Sequence, residues 1–174
     1  MSALNEFKRT MSTEKIKYNS SLYLESTIPS YLVARQSRDI IIASHQQITQ
    51  EWWSKRKNDF EIFVSIFVKD EVSLGNKNLA QQRLEVISKF PMLEVTKEVE
   101  YLSARFLDGG VIPKKAGRDA THIAISAVHG IEFLMTWNCK HIANASIIRR
   151  LERICIEEGY LCPIICTPEE LLER

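Results

Sequence analysis

From Leu22 onward, short apolar runs alternate with longer segments of helical spacing. This constrains the fold more than any other feature, because it is the pattern of a parallel sheet whose crossovers lay helices on both faces. The spacing predicts strands over Leu22 to Glu25, Glu61 to Ser65, Met92 to Val95, Ile131 to Thr136 and Pro163 to Cys166. Between them, Arg38 to Lys57 places Ile41, Ile48 and Trp52 at helical spacing, and Ile66 to Leu74 runs into Gly75, a residue suited to a left-handed cap. A further helix around Leu79 to Ile87 is expected to stop before Pro91, and one capped by Thr96 to stop at Gly109 and Gly110. The cleanest amphipathic stretch is Arg118 to His129, with Ala120, Ile123, Ala124, Ala127 and Val128 on one face. Ile147, Leu151 and Ile154 mark another helix, and the tail TPEELLER reads as a helix start. STIP after Glu25 reads as a turn. The expected architecture is α/β with a central parallel sheet of about five strands.

At 174 residues and 45% apolar composition, the chain can bury a core without metal or disulfide staples. Residues 1–21 lack apolar periodicity and are rich in Ser, Asn, Thr and Lys, so they are expected to form a flexible extension to a single domain over 22–174. The 23 basic against 22 acidic side chains give a formal charge of +1, which excludes both a basic nucleic-acid coat and an acidic tail protein. Any ligand recognition must therefore be local. No run approaches the roughly 18 apolar residues of a membrane span, and no signal-peptide core is visible. A cytoplasmic protein without membrane attachment is the expectation. Cys139, Cys155, Cys162 and Cys166 include no CxxC pair and read as buried thiols rather than a zinc site.

Ligands of open parallel sheets gather at the carboxyl ends of strands. Four polar residues have that address: Glu25 closing the first strand, Glu71 in the helix after the second, Asp119 opening the amphipathic helix, and Asn138 after the fourth strand. Each also has a plain structural reading. Glu25 can cap a turn, and Asp119 sits where acids favour a helix N-terminus in any case. Glu71 shares a helix face with Phe67 and Leu74, which turns it inward and leaves Asp70 to solvent. Three carboxylates and an amide oxygen brought together would repel one another without a cation between them, and hard oxygen donors suit Mg²⁺ or Mn²⁺. Such an ion can activate water and neutralise a phosphate oxygen.

YLESTIPSYL, VSIFVKDEV, RDATHIAISAVHG and LMTWNCKHIAN, in that order and spacing, resemble the PIN domain, specifically its branch of VapC-type toxins. The resemblance spans about Leu22 to Leu172. It implies a three-layer α/β/α sandwich and a ribonuclease dependent on Mg²⁺ or Mn²⁺ held by an acidic quartet. It also implies an antitoxin protein as partner, RNA as substrate and a homodimer. Position by position, Glu25 stands where the family usually has Asp, Glu71 and Asp119 match its acids, and Asn138 replaces an acid often found there. The catalytic and metal-holding set implied is Glu25, Glu71, Asp119 and Asn138.

Substrate RNA calls for positive charge near that acidic mouth, which Lys114, Lys115, Arg118, Lys140 and His141 supply. Ser26 either bonds a ligand or serves a turn, and His122, one helical turn from Asp119, either supports the metal shell or is a satisfied helix histidine. Two functions stay open: a metal-dependent endoribonuclease, favoured by Glu25, Glu71 and Asp119, and a catalytically weak or inactive PIN-like module binding RNA or protein, favoured by Asn138. A phosphoacceptor domain is disfavoured, since LEVTKE after the third strand holds no acceptor Asp.

Overall fold

A computed structural model describes residues 19–172. The expected extension over 1–21 falls mostly outside the described residues, and the first strand begins at Ser20, two positions earlier than the sequence pattern suggests. The strands are β1 (Ser20–Leu24), β2 (Phe60–Ser65), β3 (Met92–Leu93), β4 (Phe133–Met135) and β5 (Ile164–Cys166). They form one parallel sheet in the order β3-β2-β1-β4-β5. The seven α-helices of the described residues are α1 (Thr27–Val33), α2 (Ile40–Lys55), α3 (Ile66–Val72), α4 (Lys77–Ile87), α5 (Lys97–Asp108), α6 (Gly117–Val128) and α7 (Ala145–Glu157).

β1 lies at the centre, paired with β2 through Leu22 and Ile62 and with β4 through Leu22 and Phe133. Successive strand residues point to opposite faces, so complete burial of Leu22, Tyr23 and Leu24 in a row means both faces are covered. Two helix groups do this. One packs α1 against α2 and α4, and the other packs α5 against α6 and α7, giving the α/β architecture expected. The chain builds outward from β1 through β2 to β3, then crosses to the other side for β4 and β5. Strand order therefore reverses between β1 and β4, and the crevice at that switch point opens beyond their carboxyl ends. Glu25 and Asn138 leave the sheet there.

Helix starts follow the sequence closely. Asp39 accepts from the N–H groups of Ile41 and Ile42, and Asn76 from those of Asn78 and Leu79. Thr96 accepts from Val99 N–H, and Asn144 from Ser146 N–H. Gly130, with φ of +64°, makes the left-handed turn that leads towards β4.

Several expectations need correction. STIP does not form an isolated turn but starts α1, since Pro29 sits in the first turn, where a missing N–H costs no helical bond. The tail forms a turn rather than a helix within the described residues. Glu170 folds its carboxylate back onto Thr167, accepting from the backbone N–H at 2.7 Å and the hydroxyl at 2.9 Å. β3 stops at Leu93 rather than Val95, and β4 starts at Phe133 rather than Ile131. Cys155 and Cys166 are buried thiols, but Cys139 is exposed and Cys162 half-buried.

Candidate metal centre

Glu25 follows the last residue of β1 and is 3% exposed. Burying a carboxylate so deeply requires donors, and the surrounding loops provide them. Its Oε2 accepts from Thr27 N–H at 3.1 Å, the Thr27 hydroxyl at 2.5 Å and the Thr136 hydroxyl at 2.7 Å. Both threonine oxygens in turn accept a backbone N–H from the segment after β4, Thr27 from Trp137 at 2.8 Å and Thr136 from Asn138 at 2.9 Å. The hydroxyl protons are therefore directed at the carboxylate. Oε1 accepts from the Ser26 hydroxyl at 2.7 Å.

Glu71 lies in α3, half-buried, while its neighbour Asp70 is exposed; Leu74, assigned from spacing to the same inward face, lies past the end of the helix and is 63% exposed. His122 Nε2 is 3.2 Å from Glu71 Oε2, and Arg118 approaches the other oxygen at 3.8 Å. Burial would push the Glu71 carboxyl up, but the His122 hydrogen bond and charge, the Ser26 hydroxyl and Arg118 together hold it below its ordinary value. His122 is 1% exposed, and its Nδ1 lies 2.8 Å from the Tyr23 hydroxyl, which is 2.6 Å from Ser65 Oγ.

Asp119 stands in the first turn of α6, as its sequence position implied. Its Oδ1 accepts from the Asn138 amide nitrogen at 3.1 Å, while the Asn138 amide oxygen accepts from His141 N–H at 3.1 Å. Burial pushes the Asp119 carboxyl up, and Glu25 adds to this; His122, His141 and the Asn138 bond offset it only in part.

An open cavity of about 570 Å³ fronts this cluster, lined by Glu71, Lys115, Ala116, Gly117, Arg118, Asp119 and His141. Lys115, Arg118 and His141 thus line the same opening as two of the acids, whereas Lys114 and Lys140 are exposed and outside that lining. Ser26 gives its hydroxyl hydrogen to Glu25 Oε1 and is also near enough to Glu71 to lower that carboxyl. Thr27, Thr136 and Tyr23 went unnoticed in the sequence. Thr136 offered a faint signal, two places before Asn138 in LMTWN, but a threonine near a strand end is ordinary in isolation.

Ligand atoms of Glu25, Glu71 and His122 all lie within 4.8 Å of one another. Divalent ions bond oxygen and nitrogen donors at about 2.0–2.6 Å, so donors spaced in this way fall within one ion's reach. The buried Glu25 carboxyl beside the half-buried Glu71 is an acidic pair that a dication would relieve, while Asp119, at the same opening as Glu71, is not part of this 4.8 Å group. The residues present therefore fit a divalent metal. They can hold the ion, present a carboxylate to a water and meet an anionic group from the Arg118 side.

No protein-family model matches the chain, and no curated protein matches it by sequence. Among solved structures, VapBC2 from Rickettsia felis, bound to a DNA fragment from its promoter, is similar at 15% identity with a TM-score of 0.50. The alignment covers 84% of this chain and 97% of that one, and at this identity it establishes likeness of fold, in agreement with the PIN-like architecture.

Proposed function

We propose that this chain is a divalent-metal-dependent endoribonuclease of the VapC-like kind. The observation carrying the reading is the convergence of Glu25, Glu71 and His122 within 4.8 Å at the switch point of the sheet. When bound, Mg²⁺ or Mn²⁺ would supply Lewis acidity towards phosphate and acidify a water. Glu25 would hold the ion, its Oε2 already accepting from the two threonines. Glu71 and Asp119 complete the carboxylate set, with Glu71 also able to orient the attacking water. Asn138 supports the shell through Asp119. Lys115, Arg118 and His141 receive the RNA phosphate at the cavity mouth, with Lys114 and Lys140 contributing longer-range attraction, and Ser26 is placed to bond either acid or ligand.

An antitoxin is the expected protein partner, a reading supported by the likeness to VapBC2, and a homodimer acting in the cytoplasm is part of the same proposal. No helix among the described residues is long and apolar enough to cross a membrane. The alternative, a PIN-like module that binds RNA or protein without turnover, draws on one observation: the fourth position carries an amide that donates to Asp119 instead of adding a charge.

Purified protein incubated with RNA in Mn²⁺ or Mg²⁺, with and without chelator and beside Asp119→Asn, decides between them. Cleavage that needs metal and is lost in the variant is expected. Equal cleavage by wild type and variant, or indifference to chelation, rejects the enzyme. Metal and RNA binding without cleavage favours the module.

A further inference from the structure

We propose that His45, backed by Trp137 and flanked by Tyr31, forms a stacking subsite for an unpaired nucleobase beside the metal centre. The inference rests on RNA being the substrate, as proposed above, and names where a base of that strand is held. His45 lies flat on the Trp137 indole, with ring centroids 3.9 Å apart and planes 13° from parallel, and Tyr31 leans against the two rings at 6.0 Å and 6.4 Å. Trp137 is 8% exposed, and its indole N–H donates to the buried Thr49 hydroxyl at 2.8 Å. It is thus a fixed backing, and His45 and Tyr31 are the half-buried rings in front of it.

The stack is rooted in the site. Trp137 directly precedes Asn138, and its backbone N–H bonds the Thr27 hydroxyl that itself donates to Glu25. α1 starts at Thr27 and carries Tyr31 one turn further on. Asn138 reaches Asp119 on the α6 side, so a strand whose phosphate meets Arg118 there passes Asn138 to reach the rings on the α1 and α2 side. The helix face that bears His45 is open to it, since Ile41 and Ile42, one turn earlier on α2, are 65% and 38% exposed. The polar tips point the same way. Aromatic clusters that only fill a core tie such groups to the protein, as Thr49 ties the indole, yet among the described residues neither the Tyr31 hydroxyl nor a His45 ring nitrogen has a hydrogen-bond partner. Every base offers a π-face to a flat ring, and histidine is among the side chains on which splayed RNA bases stack. A base laid on His45 adds one layer to the Trp137 stack and must first leave its neighbours, which selects single-stranded RNA.

Fluorescence-anisotropy titrations of short single-stranded RNAs, with chelator present so that no strand is cut, test this on wild type, His45→Ala, His45→Phe and Gln47→Ala, the last an exposed position on the same helix. Circular dichroism confirms that each protein is folded. His45→Ala should bind about tenfold more weakly, the loss of one stacked base, while His45→Phe, which keeps a flat ring against Trp137, stays within about threefold of wild type. Gln47→Ala should bind as wild type does. Among RNAs that each lack one base, the strand abasic at the stacked position should bind wild type about tenfold more weakly than the intact strand, and His45→Ala should not distinguish the two. The subsite is overturned if His45→Ala loses no more affinity than Gln47→Ala, if His45→Phe loses as much as His45→Ala, or if every abasic strand costs wild type and His45→Ala alike. Wild type that binds RNA but does not cleave it with Mn²⁺ present rejects the enzyme, and the titrations still decide the subsite. Wild type that binds no RNA rejects the subsite, and calorimetric Mn²⁺ titration still decides the metal centre.

Discussion

The Thr136 hydroxyl donates to Glu25 Oε2 across 2.7 Å, tying the carboxyl end of β4 to that of β1 at the point where strand order reverses. The same hydroxyl oxygen accepts from Asn138 N–H, so one group both aims the Glu25 carboxylate and begins the turn that carries Asn138 towards Asp119.

Thr136→Val tests that junction. Valine keeps the shape but leaves Glu25 Oε2 without one of its donors and Asn138 N–H without an acceptor. An unsatisfied buried polar group costs about 1–3 kcal/mol, which for a domain of this size lowers Tm by roughly 2–10 °C. Thermal unfolding of the two proteins gives the comparison, and Mn²⁺ affinity should drop with it. Unchanged Tm and affinity would show that the bond is ornamental.

Asp119→Asn should abolish cleavage yet stabilise the metal-free protein. The folded Asp119 carboxyl is raised by burial, so it holds its proton more tightly than in the unfolded chain. Its favourable contribution is present below the unfolded value near 3.9 and is lost as pH rises through the raised folded value, leaving the ionised group working against the fold at neutral pH. Glu71 has the opposite sign: its lowered carboxyl contributes stability above the unfolded value, and this is lost as pH falls through the lowered one. At pH 7 without metal, Asp119→Asn should therefore raise Tm and Glu71→Gln lower it. Added Mn²⁺ should raise Tm of wild type and not of Asp119→Asn, since a ligand stabilises only a state that binds it.

The parallel sheet was legible because a central strand buried on both faces must read as an apolar run, as Leu22 to Leu24 does. The Thr96 cap was legible because a threonine there answers a local need of the backbone, whereas the caps Asp39, Asn76 and Asn144 became visible only in the structure. α1 was not legible, because Pro29 suggests a stop unless the first turn is already placed around it. In the site, Glu25 stood out as a carboxylate adjoining buried residues, and Asp119 and Asn138 by their strand-end address. The Thr27 and Thr136 cage and the Tyr23 to Ser65 bond join segments distant along the chain, and no local pattern in the sequence marks residues 42 or 111 apart as neighbours.

Arg118→Ala should weaken RNA binding in a salt-dependent way. Arg118 lines the cavity beside Lys115 and keeps only a 3.8 Å contact with Glu71, so its charge remains open to substrate. Each phosphate neutralised on a single strand contributes about −0.7 to the slope of log K against log salt, and the variant should lose about that much. Binding titrations at several salt concentrations measure it. A parallel line displaced downward, with the slope retained, would assign Arg118 to Glu71 alone.

Glu25→Asp, which keeps the charge and shortens the arm, should reduce activity. The two threonine hydroxyls and Thr27 N–H hold Oε2 where the longer arm places it. Shortening by one methylene draws the carboxylate back from all three donors, or keeps them and moves the carboxylate relative to Glu71 and His122. Either way the three-donor set that lies within 4.8 Å is broken. A misplacement near 1 Å can cost about a hundredfold in rate, so a drop in kcat of ten- to a hundredfold is expected, with weaker Mn²⁺ binding in calorimetry. Glu25→Gln, which keeps the length and removes the charge, should lose more. If Glu25→Asp instead matches or exceeds wild type, the cage adapts to either arm and the position of Oε2 is not what the site depends on.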